Sequence, residues 1–277
     1  MIDKAAANDF PGRFREIISD PLNLLIRRHP RAGLVEDGLV TLHNGHRVPL
    51  RGAGSYYGGF SDILIYNRGV HEPLEEFAFQ QMLPVLPAAP VMLELGAYWG
   101  HYSMWLKQAR PGARVHLVEP EADCLEAGRA NFARNGYDAS FEQAFVGTGR
   151  FEVDRWMEAA GLERLDVLHS DIQGFEAEML DGAAGTLGAR RADYVFISTH
   201  SQALHDEVRR RMAGFGYRIE LSSDFTGQTT SYDGFLLAVH PDRRPVCPGP
   251  APLDRQGIVR AAPRALVESL LPYLPAE

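Results

Sequence analysis

The chain has 277 residues, of which 23% are charged and 45% hydrophobic, and its formal net charge is -8. This composition is typical of a folded globular protein and excludes a disordered chain. The acidic balance argues against sequence-independent binding of nucleic acid, which needs clustered Lys and Arg. We therefore expect one main domain, no nucleic-acid partner and no membrane span, since no run approaches ~18 apolar residues.

Cysteine usage and the N-terminus bear on the compartment. Cys124 and Cys247 are the two cysteines, and they form no C-x-x-C pair. Met1 to Phe10 contain no apolar signal-peptide region. These features predict a soluble cytoplasmic protein with reduced thiols. A homo-oligomer is left open.

The chain divides into three predicted parts. Residues 1–85 form an N-terminal helical or lid extension, with helices over Phe14 to Arg28 and Glu72 to Met82. Residues 86–240 form the catalytic domain, because strand and helix patterns alternate there regularly. Residues 241–277 form a proline-rich tail with a C-terminal helix.

The glycine-rich segment 51–59 contains two adjacent tyrosines, Tyr56 and Tyr57. Glycine gives the backbone freedom to move, and the tyrosines offer hydroxyl groups to a ligand. The segment is either a lid over a site or a connector whose tyrosines pack on the core. The sequence leaves these two readings open.

The stretch from Val91 to Gly100 organises the rest of the chain. A short apolar run ends with Glu94, and Gly96 then opens a turn before a helix-like segment. A strand, a glycine turn and a helix N-terminus bring backbone amides close to a nucleotide-like ligand. The second glycine of the dinucleotide fingerprint is missing, since Tyr98 stands there. Glu94 would repel a pyrophosphate and attract the ammonium and sulfonium charges of S-adenosylmethionine.

Alternating strands and helices follow this stretch, which predicts a parallel sheet. The strands are Arg114 to Val118, Ala139 to Val146, Leu165 to Ser170, Tyr194 to Ser198, Tyr217 to Leu221 and Gly234 to His240. The last two are consecutive, so we expect an antiparallel edge. Ligands bind at the carboxyl ends of parallel strands, and this places Glu94, Glu119, Asp171 and His200 on one rim. Glu119 is expected to bind ribose hydroxyls, and Ala144 to flank an adenine ring.

Several segments of the sequence resemble a known family, the FkbM-type S-adenosylmethionine-dependent methyltransferases. The likeness covers roughly Gly69 to Val239 and is carried by four segments. They are Leu93-Glu94-Leu95-Gly96-Ala97-Tyr98-Trp99-Gly100-His101-Tyr102-Ser103, Val118-Glu119-Pro120, Asn131 with Asn135-Gly136, and His169-Ser170-Asp171-Ile172-Gln173-Gly174-Phe175-Glu176. The chain departs from the family pattern at Glu94, Tyr98 and His169, where the family has Asp, Asn and Lys.

The resemblance implies an α/β class I methyltransferase fold, which is Rossmann-like. Its sheet has seven mostly parallel strands, helices on both faces and an antiparallel last strand. The implied activity is O-methylation of a hydroxyl on a sugar, a glycolipid or a secondary metabolite, which makes a small molecule the partner. The expected cofactor contacts are Glu94, Gly96, Ala97, Tyr98, Gly100, Tyr102, Glu119 and Ala144.

Methyl transfer to an alcohol needs a base or a metal ion to make the oxygen nucleophilic. We expect His200 to be the base, because an imidazole titrates near neutral pH. His169 is a second candidate, and Asp171 would orient His200 or contact the acceptor. If a divalent metal is present, Asp171 and His200 are its expected ligands. Two other functions stay open, a nicotinamide-dependent oxidoreductase and a methyltransferase-like binding protein without turnover.

Overall fold

A computed structural model describes residues 10–52, 54–56, 58–226, 230–231 and 233–274. The N-terminal residues 1–9 and the predicted lid residue Tyr57 lie outside these ranges. The α-helices are α1 Phe10–Ser19, α2 Ile63–Tyr66, α3 Pro73–Met82, α4 His101–Ala109, α5 Ala122–Asn135, α6 Val153–Ala159, α7 Glu176–Asp181, α8 Ala184–Gly188, α9 Gln202–Gly214, α10 Arg255–Arg260 and α11 Pro263–Glu268. Short 3-10 helices are Pro21–Leu24, Gly58–Asp62, Leu83–Val85 and Leu271–Tyr273. The strands are β1 Val35–Glu36, β2 Leu39–Thr41, β3 Arg47–Pro49, β4 Val91–Leu95, β5 Arg114–Val118, β6 Ser140–Glu142, β7 Leu165–Ser170, β8 Ala192–Thr199, β9 Arg218–Ser223 and β10 Gly234–Val239.

Among the described residues, seven strands form the main sheet in the order β6-β5-β4-β7-β8-β10-β9. Neighbouring strands from β6 to β8 are parallel, whereas β10 runs antiparallel to both β8 and β9. Class I methyltransferases have this mostly parallel sheet with one antiparallel strand, so the predicted fold class is confirmed. The antiparallel strand lies between β8 and β9 and not at the edge, where we expected it. All six residues of β10 are buried there.

Two predicted helices were too long, and proline accounts for both errors. Helix α1 ends at Ser19 because the Asp20 side chain accepts a hydrogen bond from the Leu22 amide and Pro21 begins a 3-10 turn. In the tail, the sequence pattern favoured one helix over Arg260 to Tyr273. Pro263 instead starts a separate helix, α11, after an extended Ala262.

The N-terminal extension, meaning the described residues before β4, packs on the main sheet. It contains an antiparallel three-stranded sheet, β1 to β3, which the sequence pattern did not predict. Val40 and Val48 of this sheet are fully buried and belong to one hydrophobic core with Phe79 of α3 and Phe196 of β8. This shared core fixes the extension beside the carboxyl ends of the main strands. In the described part of the chain, no helix is both long and apolar enough to cross a membrane.

Candidate functional site

A cavity of about 450 Å³ lies at the carboxyl ends of β4, β5 and β7. Its size is within the range of small-molecule and cofactor sites. Six of the eight predicted cofactor contacts line it, namely Glu94, Gly96, Ala97, Tyr98, Tyr102 and Glu119. The parallel strands bring these residues together because their carboxyl ends share one edge of the sheet.

The turn after β4 depends on the absence of a side chain at Gly96. The backbone has φ +70° there, and a Cβ atom would lie 1.7 Å from the carbonyl oxygen of Asp171. Any other residue would therefore push β4 and the segment after β7 apart. The turn from Gly96 to Gly100 is called the cofactor loop below. Gly96 brings this loop into direct contact with the segment that carries Asp171.

The Glu119 carboxylate is held in place at the end of β5. Its Oε2 accepts a hydrogen bond from the Tyr98 amide at 2.9 Å, and its Oε1 accepts one from the Glu121 amide at 3.1 Å. Burial raises the pKa of Glu119 above its usual value, although these two hydrogen bonds lower it. A carboxyl group fixed in this way at the second strand end suits the hydroxyls of a ribose.

Glu94 is buried at the other end of the cofactor loop. Its Oε2 accepts a hydrogen bond from the Ser103 amide of α4 at 3.1 Å, and burial raises its pKa. Among the described residues, the cavity is lined by several carboxyl groups and by no Lys or Arg side chain. A cationic ligand would pair with these carboxyl groups, whereas a pyrophosphate would be repelled by them and would meet no Lys or Arg in the described lining. The charge and size of the cavity therefore fit S-adenosylmethionine.

Two predicted cofactor contacts, Gly100 and Ala144, do not line the cavity. Gly100 begins α4 with φ +77°, and a Cβ there would lie 2.7 Å from the ring of Phe132. Its role is to let α5 approach the turn. Ala144 follows β6, where the next two residues, Phe145 and Val146, face the cavity in its place.

His200 lies at the end of β8, behind the cavity wall. Its Nδ1 is 2.5 Å from Oε1 of Glu176, and its Nε2 is 3.2 Å from Oδ1 of Asp171 and 3.5 Å from Oδ1 of Asp233. Burial lowers the pKa of His200, but the hydrogen bonds to Asp171 and Glu176 and the charge of Asp233 outweigh burial and raise it to about 11. This pKa favours the protonated form at neutral pH, and Nε2 of the Gln173 amide also lies 2.8 Å from His200 Nε2. The ligand atoms of Asp171, His200 and Asp233 lie within 4.8 Å of one another, so the two predicted metal ligands are close enough to share an ion.

Asp171, unlike His200, lines the cavity directly, as does Asp233. The Asp171 side chain keeps 29% of its surface exposed. Burial raises the pKa of Asp233 to about 7, although the charge of His200 lowers it. The structure thus brings the predicted pair Asp171 and His200 into contact, with the carboxylate on the cavity side.

His169 lines the cavity from within β7 and is 3% exposed. Its Nε2 is 2.6 Å from Oε1 of Glu75, and its ring lies against Tyr102 with centroids 4.3 Å apart. Burial lowers the pKa of His169, but the hydrogen bond and charge of Glu75 outweigh it and raise the pKa. His169 is therefore paired with its own buried acid, Glu75. Among the described residues it makes no hydrogen bond to the group of Asp171, Glu176, His200 and Asp233, called the Asp171 cluster below.

The structure adds residues that sequence reasoning missed. Glu176 is fully buried and holds His200, whereas its position at the start of a helix favoured a charge that interacts with the helix dipole over a functional role. Glu72 and Asp233 line the cavity, and Glu72 accepts a hydrogen bond from the Tyr102 hydroxyl at 3.0 Å. Gln173 lines it with φ +52°. Their positions in the sequence could have indicated these two residues, because Glu72 directly precedes α3 and Asp233 directly precedes β10.

The glycine-rich segment 51–59 also contacts the site. Tyr56 lines the cavity, is 8% exposed and packs against Trp99 with ring centroids 5.2 Å apart. The Tyr98 hydroxyl donates a hydrogen bond to the carbonyl oxygen of Ser55 at 2.9 Å. These contacts join the segment to the cofactor loop, and its role as a lid stays a prediction.

Comparison with known proteins finds one matching family model and several solved structures with a similar fold. The family model described as "Methyltransferase FkbM domain" matches residues 150–219, which include β7 and the segment from His169 to Glu176. No curated protein matches the chain. Among solved structures, a precorrin-6y C5,15-methyltransferase from Geobacter metallireducens is 14% identical over 60% of this chain and 87% of its own, with a TM-score of 0.44.

Two further solved structures show similar overlap. TrmK of M. capricolum in complex with S-adenosyl-homocysteine is 10% identical over 70% of this chain and 81% of its own, with a TM-score of 0.43. A ribosomal protein L11 methylase from Lactobacillus delbrueckii is 14% identical over 61% of this chain and 79% of its own, with a TM-score of 0.42. The family match and the seven-stranded sheet agree with the resemblance seen in the sequence. The match over residues 150–219 supports an S-adenosylmethionine-dependent methyltransferase with an FkbM-type domain.

Proposed function

We propose that the protein methylates a hydroxyl group of a small molecule, in the class of sugars, glycolipids and secondary metabolites. The observation that carries this proposal is the pair of carboxyl groups, Asp171 and Asp233, that face the cavity and converge on the His200 ring. An alcohol is a weak nucleophile and needs a nearby base. A carboxylate beside the cofactor cavity meets this need.

S-adenosylmethionine supplies a methyl group on a positively charged sulfur. Glu119 would accept hydrogen bonds from its ribose hydroxyls, and Glu94 would face its cationic part. Both carboxyl groups are already oriented by backbone amides of the cofactor loop and α4. Such preorganisation reduces the entropy that binding would otherwise cost.

Asp171 is the base in this proposal, and His200 is a positioning residue. The Asp171 carboxylate would accept the proton of the acceptor hydroxyl, because Asp171 lines the cavity and His200 lies behind it. His200 would fix the orientation of Asp171 through the 3.2 Å contact, while Glu176 holds the opposite edge of the ring. In this proposal Asp171 takes the role of general base that we expected for His200.

The charge of the cavity favours a small neutral or cationic acceptor over a nucleic acid. Among the described residues, its lining includes Glu72, Asp171 and Asp233 and lacks Lys and Arg. A phosphate backbone would be repelled by these carboxyl groups and would meet no Lys or Arg in the described lining. Aromatic residues such as Tyr56 and Phe175 also line the cavity and can stack on a sugar ring.

The test is an acceptor screen with purified protein and S-adenosylmethionine. The panel contains sugars and nucleotide sugars, glycolipid head groups, phenolic metabolites, primary amines, RNA and a protein substrate mixture. S-adenosylhomocysteine release identifies turnover, and mass spectrometry locates the methyl group. We expect a methyl ether on a small molecule; a methylated amine, RNA or protein as the main product would contradict the proposal.

Asp171→Asn separates chemistry from cofactor binding in the same screen. We expect turnover of the best acceptor to fall about 10²- to 10⁴-fold, the usual contribution of a positioned base. Binding of S-adenosylhomocysteine should change little, because Glu94 and Glu119 keep their contacts. Full turnover in Asp171→Asn would remove Asp171 from the base role.

We also propose that the protein works in a reducing compartment such as the cytoplasm. Cys124 and Cys247 are both free thiols in the structure, and Cys247 is buried. Secreted proteins of this size commonly use such residues in disulfides. Localisation of a tagged full-length chain by cell fractionation would test this.

A further inference from the structure

A second group of titratable side chains lies apart from the Asp171 cluster. His43 follows β2 in the N-terminal extension, Glu76 lies in α3, and His101 is the first residue of α4. His71, just before α3, contacts the same carboxylate. Three separate segments of the chain thus converge on Glu76, and each of the four side chains is at most 2% exposed.

The geometry of this group is that of converging ligands. Nε2 of His43 lies 3.1 Å from Oε2 of Glu76, and Nε2 of His101 lies 4.0 Å from Oε1 of Glu76. One ligand atom from each of the three residues lies within 4.8 Å of the others. Ligands at about 2.1 Å around a tetrahedral ion are ~3.4 Å apart. Shifts of about 1 Å would therefore bring these three ligand atoms to coordination distance of one ion.

Several polar atoms of this group have no hydrogen-bond partner among the described residues, although Glu76 Oε1 accepts hydrogen bonds from the His71 and Glu72 amides at 2.9 and 3.3 Å. His43 Nε2, Glu76 Oε2 and both ring nitrogens of His101 are buried and make no hydrogen bond there, despite their short separations. A buried polar atom without a partner is unfavourable, and so several together require an explanation. Imidazole nitrogens and carboxylate oxygens that converge on one point are what a metal ion requires.

We propose that His43, Glu76 and His101 form a binding site for a divalent transition-metal ion of the Zn²⁺ class. Two imidazole nitrogens and one carboxylate are typical zinc ligands, and a carboxylate with imidazoles disfavours Mg²⁺ and Ca²⁺, which prefer oxygen alone. His71, with Nδ1 2.6 Å from Oε1 of Glu76, is a positioning residue that orients the ligating carboxylate.

The position of the site suggests how an ion enters and what it does. His101 and His71 also line the cofactor cavity, which gives a route from solvent and a place for a fourth ligand. The ion would tie the N-terminal extension at His43 to the helix that follows the cofactor loop at His101. This role is structural and does not depend on the acceptor or on methyl transfer.

The experiment measures metal content and metal affinity directly. The full-length protein is stripped with a chelator, reloaded with Zn²⁺ or Mg²⁺, desalted and analysed by inductively coupled plasma mass spectrometry. Co²⁺ loading adds a visible absorption spectrum that reports nitrogen and oxygen coordination. We expect about one Zn²⁺ per chain, no retained Mg²⁺ and a higher melting temperature with Zn²⁺.

Matched variants assign the ligands. His43→Gln and Glu76→Gln should each weaken Zn²⁺ binding roughly 100-fold or more, because each removes one of three protein ligands. His46→Gln is the control, since His46 is also buried but contacts the Tyr137 hydroxyl and lies outside the group. Asp171→Asn controls for an ion held at the other cluster and should leave Zn²⁺ binding unchanged.

Two results would overturn the proposal. One is wild-type protein that binds no Zn²⁺ or Co²⁺ after stripping, which would make the group a buried set of protonated and ionised side chains. The other is Zn²⁺ binding that survives in His43→Gln and Glu76→Gln but is lost in Asp171→Asn. Neither measurement depends on enzymatic activity. Circular dichroism is used to check that each variant is folded.

Discussion

Asp171 and His200 leave the neighbouring strands β7 and β8, and their side chains meet with Oδ1 and Nε2 3.2 Å apart. Asp171 faces the cofactor cavity and His200 lies behind it. This arrangement divides the work between the two residues. The carboxylate can reach a substrate, and the buried imidazolium fixes the carboxylate.

His200→Gln should slow turnover without weakening cofactor binding. The variant loses the positive charge between Asp171 and Glu176, so Asp171 is no longer held in one orientation. We expect kcat on the best acceptor to fall about 10- to 100-fold, in the range known for supporting contacts of this kind, with an unchanged Kd for S-adenosylhomocysteine by titration calorimetry. His116→Gln serves as the control, because His116 pairs with Glu142 away from the cavity. Equal kcat in His200→Gln and wild type would show that His200 has no positioning role.

Glu119→Ala should weaken binding of S-adenosylhomocysteine. The carboxylate offers charged acceptors for ribose hydroxyls, and hydrogen bonds to a charged group contribute about 1.5–3 kcal/mol. We therefore expect Kd to rise about 10- to 100-fold in calorimetry. Glu142→Gln removes a charge from the neighbouring strand end β6, outside the cavity, and should leave Kd unchanged. A Kd in Glu119→Ala equal to that of wild type would place the ribose elsewhere.

Gly96→Ala should destabilise the fold far more than Gly136→Ala. Both glycines have similar positive φ, +70° and +78°, so both substitutions carry the cost of a left-handed backbone, roughly 1–2 kcal/mol. Only at Gly96 does the new Cβ meet an atom, the Asp171 carbonyl oxygen at 1.7 Å, while Gly136 has open space. We expect urea denaturation to show an additional loss of about 1–3 kcal/mol for Gly96→Ala, the usual cost of overpacking. Equal losses for both variants would mean that β4 and β7 separate without cost.

Asp20→Asn should remove a decline of stability with rising pH. Burial raises the pKa of Asp20 to about 6, although hydrogen bonds from Thr230 and Leu22 lower it. The Asp20 carboxyl thus binds its proton more tightly in the folded state than in the unfolded chain, where the pKa of Asp20 is near 3.8. The stabilisation is fully present below about pH 4 and is lost as pH rises through 6, which amounts to about 3 kcal/mol.

The amide oxygen introduced by Asp20→Asn can still accept the hydrogen bond from the Leu22 amide, and so the variant should show a flatter profile between about pH 4 and 7. Denaturation at several pH values measures the difference between the two proteins. Asp123→Asn, at an exposed position at the start of α5, controls for the loss of one charge. A wild-type profile parallel to that of Asp20→Asn would mean that Asp20 is ionised in the folded protein throughout this range.

Local sequence patterns were sufficient to predict the sheet and its binding edge. The apolar run before Gly96, the acid after β5 and the regular alternation of strands and helices follow from short-range rules. Parallel strands place their carboxyl ends together whatever the details of packing, so Glu94, Glu119 and Asp171 could be assigned to one rim. The insertion of β10 between β8 and β9 was not predictable in this way, because strand order depends on contacts across the sheet.

The sequence by itself determined the fold class and most of the cofactor loop, since both depend on residues close together in the chain. Only the tertiary structure decided the protonation of His200, because that depends on burial and on Glu176 and Asp233, which come from other elements. The proximity of His43, Glu76 and His101 also depends on the tertiary structure. Their spacing along the chain matches no metal motif, and packing of the extension against α3 and α4 brings them together. Burial and long-range packing set the charge and the partners of a side chain, and neither is encoded in a local pattern.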